Sequence, residues 1–158
     1  MQTPARRPTR RVFGVMAGAA IVGGTVFAAN WFNLGASAEG TGVLSVTDVH
    51  AAAVLGDVIL IDIRRPDEWR RTGVGEGAVP LDMRRDDFET ELTRIVGGDT
   101  ARPVALICAR GVRSKRMTQR LTAAGFTSII DVPEGMLGSG AGAGWLKTGL
   151  PVTTWQDG

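Results

Sequence analysis

The chain has 158 residues, of which 44% are hydrophobic and 22% charged. This size and composition suit one globular domain and exclude a two-domain enzyme. One cysteine and one histidine are too few for a Cys/His zinc site, a disulfide framework or a Ser-His-Asp triad, unless the whole constellation rests on His50.

Four of the 18 basic residues lie in the acid-free stretch 1–38, which leaves 14 basic against 16 acidic residues elsewhere. This balance, without a basic stripe interleaved with aromatic residues, argues against nucleic-acid binding.

The N-terminal segment has the layout of a targeting sequence. Arg10 and Arg11 stand directly before an uncharged apolar stretch, and the small residues of 36–38 form an Ala-x-Ala pattern before Glu39. A basic region, an apolar region and such a cleavage pattern are typical of an export signal. We therefore predict a signal peptide over residues 1–38 and a mature domain over residues 39–158.

The run Thr9-Arg10-Arg11-Val12-Phe13 resembles a twin-arginine signal, although Gly14 and Val15 depart from the end of that pattern. The resemblance implies the twin-arginine export machinery as a partner and a periplasmic location. The alternative is an uncleaved anchor, because residues 12–36 are long enough to span a bilayer. It would leave the domain attached to the inner membrane and facing the periplasm.

Strand and helix patterns alternate through the rest of the chain. Continuous β-branched and apolar runs predict strands buried on both faces, and apolar residues at helical spacing predict helices. The predicted strands cover residues 58–63, 78–79, 104–107 and 128–132. The predicted helices cover residues 48–55 after a Thr47 cap, 66–71, 86–96, 114–124 and a final turn at 145–148. This order predicts an α/β fold with a central, mostly parallel sheet and helices on both faces.

The lone cysteine lies at the carboxyl end of one buried strand and directly before a helix, which is where ligands bind in open α/β sheets. Amides of such a loop and the helix dipole favour an anion, and so favour the thiolate of Cys108. Arg110 and Arg113, with Gly111 permitting a positive φ, would add donors for sulfate, thiosulfate or phosphate. A buried structural cysteine is the alternative. Two arginines and a glycine beside the thiol argue against it.

These residues resemble the active loop of rhodanese-like domains, which has the form Cys-x-x-Gly-x-Arg-Ser/Thr. Further matches are Asp62-Ile63-Arg64 with Glu68 and Trp69, then Glu134-Gly135, Trp145 and Gly149-Leu150-Pro151-Val152. The resemblance covers about residues 43 to 153. It implies a rhodanese-like fold and a single-domain sulfurtransferase that needs no cofactor. It also implies a sulfur-containing anion as donor and a thiol or cyanide as acceptor.

The resemblance also assigns roles to individual residues. Cys108 is the predicted nucleophile that carries a persulfide, and the loop that follows it is predicted to bind the substrate, with Asp62 and Arg64 in support. The substrate-binding residues are Ala109, Arg110, Gly111, Val112, Arg113 and Ser114. For Asp62 and Arg64, the alternative is an ion pair that ties the strand to a helix, with Glu68 as a candidate partner. We predict His50 as a solvated surface residue, and Trp69 and Trp145 as packing residues.

Two departures separate the chain from the family pattern. The usual Gly-His-Ile-x-Gly-Ala reads Gly73-Val74-Gly75-Glu76-Gly77-Ala78, without the histidine. The glycine-rich stretch 137–144 is longer than the usual connection and is expected to form a flexible rim beside the pocket.

A phosphatase loop would need Cys-x5-Arg, whereas Arg113 completes Cys-x4-Arg. The loop therefore favours sulfur over phosphate, with a non-catalytic anion-binding or sulfur-relay module as the alternative function.

Overall fold

A five-stranded parallel sheet lies at the centre of the protein. The computed structural model describes residues 41–156. The strands are β1 (Thr41–Val43), β2 (Ile59–Asp62), β3 (Val74–Gly75), β4 (Ala78–Pro80), β5 (Val104–Ile107), β6 (Ile129–Val132) and β7 (Val152–Thr153). The central sheet has the order β1-β6-β5-β2-β4, and all its neighbours pair in parallel. β3 and β7 form a separate antiparallel pair. The predicted mostly parallel sheet is confirmed.

Helices cover both faces of this sheet. They are α1 (Val46–Leu55), α2 (Pro66–Thr72), α3 (Phe88–Ile95), α4 (Val112–Ala123) and α5 (Gly144–Lys147). Leu106 of β5 belongs to a buried cluster with Phe88 of α3 and Met117 of α4. Its neighbour Ile107 belongs to a second cluster, with Val49 of α1 and Trp145 of α5. β5 is therefore buried on both faces, and its carboxyl end opens where α4 begins.

The structure shifts several predicted boundaries. α1 is capped by Ser45, whose Oγ accepts a hydrogen bond from the amide of Asp48 at 3.1 Å. The predicted cap, Thr47, instead lies inside the first turn. α4 begins at Val112 rather than Ser114, because Gly111 already supplies the left-handed residue from which the helix starts. Strands β1, β3 and β7 have two or three residues each and were not predicted, since such short pairings leave no periodic pattern.

His50 was predicted to be a solvated surface residue, and the structure leaves 20% of its side chain exposed while giving it two contacts. Its ring packs edge-on against Trp145 at a centroid distance of 5.3 Å, and Nε2 lies 2.8 Å from the Glu76 carboxylate. Trp145 is fully buried, as expected for a packing residue, and its Nε1 donates to the Pro151 carbonyl at 2.9 Å. A Cβ on Gly75 would lie 2.8 Å from the Trp145 ring. The Trp145 ring therefore packs directly against Gly75, in the segment 73–78 that departs from the family pattern.

The predicted signal peptide over residues 1–38, including the candidate span 12–36, lies outside the described residues. Between residues 41 and 156, no helix has both the length and the apolar character needed to cross a bilayer.

Candidate active site

Cys108 follows β5 directly and is only 1% exposed. Its Sγ accepts hydrogen bonds from the amide of Gly111 at 3.2 Å and from the amide of Ser114 at 3.4 Å. The Ser114 Oγ lies 3.7 Å from the same sulfur and donates to the Gly111 carbonyl. Two amides at the start of α4 thus point at one sulfur atom. Such an arrangement stabilises negative charge on sulfur.

The segment after β6 holds the cysteine loop in this shape. The amides of Met136 and Leu137 donate to the carbonyls of Cys108 and Ala109 at 2.8 and 2.9 Å. Gly111 has φ +81°, and a Cβ there would collide with the Pro133 carbonyl oxygen. A Cβ on Gly135 would lie 2.6 Å from the Ala109 carbonyl oxygen. Gly111 and Gly135 therefore allow the cysteine loop and the segment after β6 to pack closely. The carbonyls of the cysteine loop are bound by that segment, and the amides of Gly111 and Ser114 face the sulfur.

Arg113 is bound to Glu68 of α2 through two parallel hydrogen bonds of 2.8 and 2.6 Å. The Arg113 hydrogen bonds lower the pKa of Glu68 to about 2, although burial opposes the shift. The same ion pair raises the pKa of Arg113, to which the nearby charges of Cys108 and Asp62 also contribute. Arg113 was predicted to bind the donor oxyanion. In the structure its guanidinium is held by the Glu68 carboxylate, which fixes its orientation, and oxyanion binding by Arg113 stays a prediction.

Arg110 and Val112 lie on the exposed side of the loop. The Arg110 Nη1 donates to the Gly138 carbonyl at 3.4 Å, and Val112 is 60% exposed. The glycine-rich segment beyond Gly138 closes on itself, because Ser139 and Gly142 exchange backbone hydrogen bonds of 3.0 and 3.3 Å. Its Ser139 Oγ also donates to the Pro133 carbonyl. The stretch that was expected to form a flexible rim is instead closed by backbone hydrogen bonds, and Arg110 contacts Gly138 directly before this turn.

Asp62 and Arg64 form a buried ion pair behind the site. The Asp62 carboxylate accepts bonds of 2.7 to 3.1 Å from the Arg64 amide and guanidinium. The guanidinium also donates to Thr72 Oγ1 and to the Gly73 carbonyl, at the end of α2. These contacts tie the strand to a helix, but Arg64 pairs with Asp62 and not with Glu68, which pairs with Arg113. A role of Asp62 in orienting the cysteine loop stays a prediction.

Asp131 is a polar residue near the site that the sequence analysis missed. It lies on β6, is 8% exposed, and its Oδ1 has no hydrogen-bond partner among the described residues. Burial raises the pKa of Asp131, and the neighbouring Ser114 hydroxyl and the charge of Lys115 partly offset this. The sequence feature that could have identified Asp131 is an acidic residue inside the otherwise apolar run Ile129–Val132.

A cleft beside the Glu68–Arg113 pair is lined also by Arg65, Met83 and Arg84. No comparable feature of the sequence indicated these three residues.

Comparisons with known proteins agree with this geometry. The model of the rhodanese-like domain family matches residues 45–138. The structure is similar to Rv0390 from M. tuberculosis, with 26% identity, a TM-score of 0.58, and 72% of this chain and 98% of that chain covered. It is also similar to the 30 kDa polysulfide-sulfur transferase homodimer from Wolinella succinogenes, with 24% identity, a TM-score of 0.56, and 84% and 88% covered.

A third similar structure is RPA3614 from Rhodopseudomonas palustris, described as a possible tyrosine phosphatase, with 20% identity, a TM-score of 0.54, and 89% and 99% covered. No match was found among curated proteins. The family match spans more than half of the chain and includes Cys108, the amides that surround it and the Glu68–Arg113 pair. The chain belongs to the rhodanese-like domain family.

Proposed function

We propose that the protein is a sulfurtransferase that moves sulfane sulfur from thiosulfate or a related donor to a thiol or cyanide acceptor. The observation that carries this proposal is the pair of amide hydrogen bonds, from Gly111 and Ser114, to Cys108 Sγ. Support comes from membership of the rhodanese-like family and from the shared fold of a polysulfide-sulfur transferase. No cofactor takes part in the proposed reaction.

The reaction has two steps. The Cys108 thiolate attacks the outer sulfur of thiosulfate, the S–S bond of the donor breaks, and sulfite leaves with the bonding electrons. The outer sulfur of the resulting persulfide carries the negative charge, which the loop amides between Ala109 and Ser114 stabilise. An acceptor thiolate then attacks this outer sulfur, so that the bond to Cys108 breaks and the Cys108 thiolate is restored. The charge of Arg113 interacts favourably with that of Cys108, so Arg113 adds positive charge where the anionic donor approaches.

Two other functions make different predictions. A non-catalytic anion-binding or sulfur-relay module would use the same loop without turnover. A phosphatase would need room for a tetrahedral phosphoryl group, whereas the loop has one residue fewer between Cys108 and Arg113 than the Cys-x5-Arg pattern. We therefore expect no turnover of an aryl phosphate.

Mass spectrometry of the protein after incubation with thiosulfate tests the proposal. We expect the mass to increase by one sulfur atom, with release of one equivalent of sulfite, and then cyanide to remove that sulfur as thiocyanate. Cys108→Ser is the control and is expected to show neither the mass increase nor turnover. Equal thiosulfate–cyanide rates in the two proteins, or an unmodified Cys108 thiol, would contradict the proposal.

We further propose that the protein is exported through the twin-arginine machinery to the periplasm and is cleaved after Ala38 or retained as an inner-membrane anchor. The support is the sequence pattern of Arg10, Arg11 and residues 36–38. Replacing both arginines by lysine should stop export, and N-terminal sequencing of the exported protein should begin at Glu39 if cleavage occurs. Export that is unchanged in the double lysine variant would contradict the twin-arginine route.

A further inference from the structure

Asp131 is a buried acid on the same face of the sheet as Cys108. Its neighbours Ile130 and Val132 belong to the cluster on the α1 face, whereas Cys108 belongs to the cluster on the α4 face. Because side chains alternate along a strand, Asp131 faces α4 as Cys108 does. The register pairs Asp131 with Leu106, two residues before Cys108. Strand spacing and rise then separate the Cα atoms of Asp131 and Cys108 by about 8 Å, a gap that a third side chain can bridge.

The Ser114 hydroxyl is in reach of both residues. Ser114 is fully buried in the first turn of α4, and its Oγ lies 3.7 Å from Cys108 Sγ and 3.0 Å from the Gly111 carbonyl oxygen, to which it donates. The same hydroxyl hydrogen-bonds to the Asp131 carboxyl group. A hydroxyl has only one proton to donate. The sulfur, the Gly111 carbonyl and the Asp131 carboxyl group therefore compete for it.

The Asp131 carboxylate lies where charge is unfavourable. Its Oδ1 is buried and has no hydrogen-bond partner within residues 41–156, which costs free energy. Burial raises the pKa of Asp131, and the Ser114 hydrogen bond and the charge of Lys115 only partly offset this. Lys115 is the charged group of α4 that acts on Asp131, while Arg113 in the same turn is paired with Glu68. The flanking strands β1 and β5 carry no titratable side chain.

We propose that Asp131 is a positioning residue for the sulfur chemistry and that it acts on Cys108 through the Ser114 hydroxyl. When Asp131 is protonated, its O–H donates to Ser114 Oγ, and the Ser114 proton turns to the Cys108 thiolate as a third hydrogen bond beside the two amides. When Asp131 releases its proton to solvent, the carboxylate takes the Ser114 hydrogen bond instead, and its charge opposes negative charge on the sulfur. The inference rests on the proposed function, in which Cys108 is the reacting residue.

The fraction of Cys108 that is thiolate tests this role without any turnover. It is read from ultraviolet absorbance between about pH 3 and pH 9, with Cys108→Ser as the baseline. Asp131→Asn keeps the shape of the side chain and an N–H donor for Ser114 but has no charge. At the pH where half of Cys108 in the unaltered protein is thiolate, we expect its thiolate-to-thiol ratio to be about tenfold higher, because a nearby like charge opposes ionisation by this amount or more.

Thr118→Val is the matched control. Thr118 Oγ1 is another buried polar atom without a partner in the described part of the chain, on the buried face of α4 one turn beyond Ser114. Its titration curve should coincide with that of the unaltered protein. Asp131→Ser, a second uncharged variant, should raise the ratio as Asp131→Asn does. Thermal unfolding checks that each variant is folded, and the loss of a buried charge should not lower the melting temperature.

The route through Ser114 has its own test. Ser114→Ala removes the bridging hydroxyl but keeps the amide that binds the sulfur. In this background, Asp131→Asn should change the thiolate-to-thiol ratio much less than it does in the unaltered protein. Coinciding titration curves for Asp131→Asn and the unaltered protein would overturn the proposal. An undiminished effect of Asp131→Asn in the Ser114→Ala background would overturn it as well.

The two proposals fail separately. In turnover, the ratio of sulfite release by Asp131→Asn to that of the unaltered protein should vary with pH, whereas a merely structural role would change the rate equally at every pH. Absence of a persulfide in the unaltered protein contradicts the sulfurtransferase function and leaves the titration unaffected. A protein that forms the persulfide but gives coinciding titration curves retains that function and contradicts only the role of Asp131.

Discussion

Gly111 makes the positions of both sulfur-binding amides possible. Its φ of +81° lies in the left-handed region, and the Pro133 carbonyl occupies the space that a side chain would need. Its own amide is one of the two that reach Cys108 Sγ, and α4, which carries the other, begins directly after it. One residue without a side chain therefore determines both the loop path and the direction of the helix amides.

We predict that Gly111→Ala destabilises the protein more than Gly98→Ala does. Gly98 has almost the same φ, +82°, but a Cβ there meets nothing within 4 Å. The left-handed conformation alone costs about 1–2 kcal/mol, which both variants share. The collision with Pro133 should roughly double the loss of unfolding free energy in Gly111→Ala. Urea unfolding measures both values, and equal losses would mean that the Pro133 segment moves aside freely.

At the scale of secondary-structure elements, one carboxylate joins the two helices that flank the site. Glu68 lies in the first turn of α2, accepts a hydrogen bond from the Arg65 amide at 3.1 Å, and binds Arg113 in the first turn of α4. A second carboxylate acts similarly on the other side of the loop. Glu134 accepts bonds from the Val46 amide at the start of α1 and from the Gly144 amide at the start of α5. Both contacts place a negative charge at helix N-termini, where the helix dipole favours it.

We predict that Glu68→Gln lowers the unfolding free energy at neutral pH and that this loss shrinks in acid. The pKa of Glu68 is about 2 in the folded protein and about 4.5 when unperturbed. Because the folded pKa is depressed, the stabilisation is complete above about pH 4.5 and is lost as pH falls towards 2. Both partners of the pair reach solvent, so we expect a loss of about 1 to 2 kcal/mol at neutral pH.

Denaturant titrations between about pH 2 and pH 7 measure this dependence. Glu91→Gln is the control, because Glu91 pairs with Arg94 on the surface of α3, outside the link between helices. Its loss of unfolding free energy should be smaller than that of Glu68→Gln at neutral pH. A pH-independent difference between Glu68→Gln and the unaltered protein would show that the ion pair does not stabilise the fold.

At the scale of the whole molecule, the C-terminal segment closes the fold around the α1 and α5 face. The Pro151 carbonyl accepts bonds from the Trp145 indole at 2.9 Å and from the Glu76 amide at 3.0 Å. β7 then pairs with β3, and the Trp155 ring packs edge-on against Trp69 at 5.2 Å. These contacts connect residues from the middle of the chain to residues near its end.

We predict that ending the chain after Leu150 destabilises the domain by about 2 to 4 kcal/mol, because the buried Trp145 indole N–H loses its acceptor and β3 loses its pairing strand. Trp69, now without Trp155, should fluoresce at longer wavelength. Thermal unfolding followed by tryptophan emission measures both effects. Trp155→Ala in the full-length chain is the control and should lose only the ring contact with Trp69 and the cation–π contact with Arg70, about 1 to 2 kcal/mol together. An unchanged melting temperature after truncation would contradict the prediction.

The predicted strands at 104–107 and 128–132 coincide with β5 and β6 within one residue, because strands buried on both faces of a sheet require unbroken apolar runs. The short β1, β3 and β7 need no such run and form because a neighbouring strand offers backbone partners. His50 illustrates the same limit. Its helix was predictable, but its contacts with Trp145 and Glu76 join residues that are far apart in the chain.

The amino-acid sequence by itself determined the fold class and the position of Cys108 between a buried strand and a helix, since both depend on patterns within a few neighbouring residues. Only the tertiary structure decided what the charged residues do. Glu68 pairs with Arg113, which is 45 residues away, and Arg65 and Arg84 line one cleft. The physical reason is that a charged side chain pairs with whatever opposite charge the fold brings near it, and parallel strands bring distant segments together at a single edge of the sheet.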